Sequence, residues 1–176
     1  MTTTEQINSG QTTLTGEHAD LLEALGKHRF FLRHTVQGLT DEQAALTPTA
    51  SELCLGGLIK HVTRAEKGWY DFMISGPEAH SGQDFEGHVT SFRMLPGETL
   101  AGLLADYEAV AARTDELLTS GADLNQSQPL PEAPWFPPNT RWSFRRVLTH
   151  VIAETAQHAG HADIIRETID GQKSMG

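Results

Sequence analysis

From Ser143 to Asp170 the chain keeps to one helical pattern, and one face of it carries a carboxylate and three imidazoles among aliphatic side chains. Measured from Glu154 at about 100° per residue, His158 falls at about +40°, His161 at about −20° and His150 at about −40°. Val147, Val151 and Ile165 share that sector, so it faces a protein interior rather than water. Ser143 is a good N-cap and Gly171 a good C-terminal stop, which bounds the helix. Any fold for this chain must enclose that stripe and supply partners, because buried ionisable groups are costly without them. A metal ion is one such partner, since ligands at i and i+4 on a helical face can hold the same cation. A solvated polar face is the alternative, and the aliphatic neighbours argue against it.

Three further long helices are expected. His18 to Leu39 carries Leu21, Leu25, Leu32 and Val36 on one face, ending at Gly38. Thr40 to Gln43 has the form of a capping box opening a short helical turn. Leu53 to Ile74 carries Cys54, Leu58, Ala65, Trp69 and Phe72 and stops before Gly76-Pro77, and Thr99 to Thr119 follows Pro96-Gly97-Glu98. Residues 76–97 form a long connection without clear periodicity, read as a mobile lid or a partly ordered crossover. No strand-length alternation competes, and no internal repeat is present. The fold class is therefore all-α, a four-helix bundle over residues 16–172, preceded by a flexible arm over residues 1–15.

At 176 residues the chain suits one domain, and at 38% hydrophobic it can bury a full core. Its 13 basic and 23 acidic residues leave a net charge of −10, which disfavours nucleic acid as a partner. No apolar run approaches the length of a membrane span, and the start does not read as a secretory signal, so a cytoplasmic location is expected. Cys54 is the one cysteine, which excludes an intrachain disulfide and is read as a small core residue.

His61 lies on the same side of the second long helix as Cys54, Leu58, Ala65 and Phe72, so it too should face the interior. Taken alone it reads as a hydrogen-bonded core histidine. Beside the stripe of the last helix it is a complementary ligand. One ligand from this helix and two from the last leave positions open for water or substrate, as catalytic sites do. Such ligands suit zinc, nickel, iron or manganese, with zinc the leading expectation. His28 reads as a core residue, and His18, His34, His80 and His88 as isolated surface groups. Trp135, Phe136 and Trp142 are divided between loop packing and a substrate wall. Trp69 is read first as core, with a place in that wall as the alternative. Arg141, Arg145 and Arg146 are candidates for an anionic substrate, Arg145 foremost.

The segment Leu55-Gly-Gly-Leu-Ile-Lys-His61-Val, with Glu66 and Trp69 beyond it, resembles the second-helix motif of the DinB-like superfamily. The segment His150-Val-Ile-Ala-Glu154-Thr-Ala-Gln-His158-Ala-Gly-His161-Ala-Asp resembles its last-helix motif, in an actinobacterial-type branch. The resemblance runs from about His18 to Gly171. It implies an antiparallel-type bundle with a divalent metal at one end, held by His61, Glu154 and His158. Many members have His where this chain has Glu154; the related mycothiol-dependent maleylpyruvate isomerases have Glu there. His161 is then an alternative ligand or a support for the ligands.

The resemblance also implies a metal-dependent transferase or isomerase that uses a low-molecular-weight thiol such as mycothiol. A metal-dependent hydrolase is the first alternative, with Glu66 as the carboxylate that would act as base. A non-catalytic small-molecule binder is the second. The expected partner is a small-molecule substrate, with a homodimer formed through an apolar helix face.

Overall fold

The computed structural model describes Leu14, residues 16–79 and residues 85–175. The arm expected over residues 1–15, Leu14 apart, lies outside the described residues, as do His80 and the side chain of His88. Four long helices make the bundle: α1 (Glu17–His34), α3 (Leu55–Ser75), α5 (Leu100–Thr119) and α6 (Phe144–Asp170). Helix α6 packs on α1 and α3, and α5 closes the ring against α3 and α1. Short helices α2 (Asp41–Ala44) and α4 (Phe85–Ser91) lie in the connections.

The helix ends follow the polar side chains available to cap them. Ser143 accepts from Arg146 N–H at the start of α6, and Gly171 at φ 78° turns the chain out at its end. The capping box at α2 is complete, with Thr40 and Gln43 each accepting the other's backbone N–H. Cys54 caps α3, its sulfur accepting from Gly57 N–H at 3.3 Å, a role beyond the core residue expected of it. Helix α1 stops at His34, short of the expected Leu39. The turn that follows it is held by α6: Arg166 Nη1 donates to the carbonyls of Thr35 and Gln37, at 2.8 and 2.9 Å. Val36 is buried all the same.

The core has two halves along the bundle. One joins Leu32, Leu58, Val62, Tyr107 and Ile165, and the other Leu25, Phe72, Leu118, Val147 and Leu148. Between α1, α3 and α5 a polar cluster is enclosed: Arg29 and Glu66, 3% and 1% exposed, form a two-armed ion pair, and Arg29 Nη1 donates to Asp115 at 2.7 Å.

Of the two readings of the connection over residues 76–97, its described residues fit the partly ordered crossover, with a 3-10 turn (Pro77–Ala79) and α4. One expectation is corrected. There is a strand pair: β1 (Ser127–Pro129) runs antiparallel to β2 (Arg141–Ser143), with Gln128 opposite Trp142. Three-residue strands are too short to show an alternating pattern, and their pairing comes from the closure of the loop between them. Strand β2 leads directly into α6, so this pairing sets where Trp142 stands.

Candidate metal centre

Helix α3 presents His61 and helix α6 presents Glu154 and His158, one turn apart, across the packed α3–α6 seam. His61 Nε2 stands 3.0 Å from Glu154 Oε1, and His158 Nε2 stands 3.3 Å from the same oxygen. One ligand atom from each residue lies within 4.8 Å of the other two. Both imidazoles are enclosed, 7% and 8% exposed, whereas Glu154 keeps a quarter of its side chain in solvent. Hydrogen bonding from His158, then from His61, holds the Glu154 carboxyl well below the usual carboxylate range, against the opposing effect of burial. The carboxylate is therefore ionised, and two nitrogens converge on one of its oxygens.

Each imidazole is backed at its other nitrogen. His61 Nδ1 lies 3.0 Å from Ser91 Oγ, at the end of α4, and its ring stacks on Phe92 at 3.8 Å and 20°. His158 Nδ1 lies 3.4 Å from His161 Nδ1. His161 thus stands behind His158, and the carboxylate grouped with the two imidazoles is that of Glu154. Two nitrogens and one carboxylate oxygen, with the rings oriented from behind, form a donor set that fits a borderline divalent cation and leaves coordination positions free.

Next to this group along the same seam is an aromatic one. Trp69 stacks on Trp142 at 4.8 Å and 18°, and both meet His150 edge-on at 5.1 and 5.3 Å. His150, one turn before Glu154, belongs to this aromatic group and not to the three-residue cluster. Phe136 packs on Trp142, while Trp135 stands mostly in solvent. The arginines divide. Arg146 lies over the Trp142 ring at 4.1 Å, whereas Arg145 is drawn away, paired with Glu17 and donating to Asn125 at 2.8 Å. The structure therefore does not bring Arg145 to Trp69 and Trp142.

Glu66, the carboxylate expected to serve as a hydrolase base, is buried on the α1 side of α3 and paired with Arg29. His18 donates to the carbonyl of Ala122 and His34 stacks on Phe30 one turn earlier, so neither is the isolated group expected. His28 is half-buried beside Phe31. Ser91 and Phe92 were not legible as site residues. They lie in a segment without periodicity, and a lone serine there carries no signal until the chain folds it over His61.

A family model described as mycothiol-S-transferase matches residues 20–171 of the chain. A conserved protein from Enterococcus faecalis, known from its crystal structure, has the same fold at a TM-score of 0.61 and 19% identity. That alignment covers 90% of this chain and 99% of the other. No curated protein matches the chain.

Proposed function

The chain belongs to the mycothiol-S-transferase family, a DinB-like family, and from that premise we propose that it is a metal-dependent transferase or isomerase acting with a low-molecular-weight thiol, mycothiol foremost. The observation that carries this reading is the convergence of His61, Glu154 and His158 at the α3–α6 seam. In it, His61, Glu154 and His158 would hold a divalent cation, zinc foremost. A cation held there would supply a Lewis acid that lowers the pKa of a thiol.

The chain's own part is to bind and orient. Glu154 offsets cationic charge, being ionised at neutral pH. Ser91 and His161 hold the two rings in place from behind. Trp69 is buried in the core, as first expected of it, and Trp142, stacked on it, would offer a wall for the substrate, with Arg146 rather than Arg145 on hand for an anionic group. No protein nucleophile is required. Cys54 is buried and committed to capping α3. No helix among the described residues is long and apolar enough to cross a membrane, and a cytoplasmic location is part of the same proposal, as is a homodimer through an apolar helix face.

The test is a panel of electrophiles assayed with and without mycothiol and other small thiols. Turnover should require both thiol and metal, disappear with a chelator and return with the cognate ion, and survive Cys54→Ser. Full turnover without added thiol overturns the reading and favours a hydrolase. Saturable binding without any turnover favours a non-catalytic binder.

A further inference from the structure

We propose that Ser91 is a positioning residue for His61, its hydroxyl pairing with Nδ1 whether or not that nitrogen carries a proton and so leaving Nε2 to bind metal; the inference rests on the reading of His61, Glu154 and His158 as ligands. Ser91 is 1% exposed, and its hydroxyl sits 3.0 Å from His61 Nδ1. On the opposite edge of the ring, His61 Nε2 faces Glu154. An ionised carboxylate can only accept, so without a cation His61 Nε2 donates to Glu154. Where Nδ1 carries no proton, the Ser91 O–H donates to it. Freeing the Nε2 lone pair for a metal leaves the one ring proton on Nδ1, where the Ser91 oxygen accepts it. A hydroxyl can serve both states, donating to Nδ1 in one and accepting Nδ1–H in the other. Alanine can serve neither.

The backbone shows why this hydroxyl is held where it is. Gly57 and His61 are one turn apart on α3, and the chain after α4 lies directly on Gly57. A Cβ at Gly57 would come within 1.9 Å of the Phe92 carbonyl oxygen, and one at Gly56 within 2.7 Å of Met94 Sδ. Only glycine at 57 lets the two backbones approach so closely. That approach brings Ser91 and Phe92 over His61, with the Phe92 ring stacked on the imidazole and packed against the core. Gly57, four residues before His61, thus bears on the site through Ser91.

The experiment combines zinc competition titrations with ¹⁵N NMR of the His61 ring, on the full chain. Wild type should carry a proton on Nε2 without zinc, and on Nδ1 alone with zinc bound. Ser91→Ala should bind zinc about ten-fold more weakly or worse, the range seen when a ligand's supporting partner is removed. Ser91→Thr, which keeps the hydroxyl, should restore most of the affinity and the Nδ1–H signature. Ser91→Ala that binds zinc as tightly as wild type overturns the inference while leaving the metal centre intact. Wild type that takes up no zinc overturns the metal centre, and this inference with it. Should Ser91→Ala fail to fold, the wild-type spectrum decides: zinc bound through Nδ1, with the proton still on Nε2, refutes the role.

Discussion

Replacing Glu66 by Gln tests whether the enclosed Arg29–Glu66 pair is structural or catalytic. The substitution is nearly isosteric, yet it turns an NH2 group toward a guanidinium that has 3% of its surface in solvent. Arg29 would lose a charge-assisted acceptor for its Nε and Nη2 and keep Asp115 on Nη1 alone. Breaking one partner of a buried pair typically costs about 3–5 kcal/mol, because the other charge is left desolvated. Asp115 is 41% exposed and still present, which places the expected loss near the lower bound, about 3 kcal/mol. For a chain of this size that is a fall of roughly 6–12 °C in Tm. The assay is urea unfolding followed by circular dichroism, with an unchanged slope showing that the transition is the same one. The double variant Arg29→Met/Glu66→Leu should recover most of the loss, since an apolar pair carries no desolvation cost. Bound metal should stay at wild-type stoichiometry in both. A loss below about 1 kcal/mol in Glu66→Gln would refute the energetic argument. Full stability with selective loss of turnover would return Glu66 to the role of a base.

His61→Ala and His158→Ala should each remove most bound metal by elemental analysis and leave helical circular dichroism largely intact; stoichiometric metal in both would remove the proposed centre. Glu154→Gln should weaken metal binding more than His161→Gln in a competition titration, and the reverse order would make His161 the third ligand. In the metal-free protein, Glu154 titrates below its unfolded value of about 4.5, so its contribution to stability is complete above that pH and fades as the pH falls toward the native value. The stability difference between metal-free wild type and Glu154→Gln should therefore shrink below about pH 4.5, and a difference that grows with acidity would contradict the geometry.

The four long helices were written in local pattern, because a 3.6-residue apolar period needs no knowledge of its partner. Ser143 and Gly171 act at the ends they predict, since a cap bonds within its own turn. The pairing of Glu154 with His158 was legible for the same reason, one turn apart on one face, and His61 was legible as an inward residue of α3. What α3 and α6 do together was beyond local pattern. That Glu154 stands between the two imidazoles while His161 stands behind one depends on how the helices are set against each other. Arg145 and Arg146 are neighbours in sequence, yet one is drawn to Glu17 and the other lies over Trp142. Glu66 read as an available carboxylate until packing placed Arg29 against it. The three-residue strands and the placement of Ser91 over His61 arise from loop closure and backbone approach, interactions between segments far apart in the chain. Periodicity decides which face of a helix turns inward; only packing decides what that face meets.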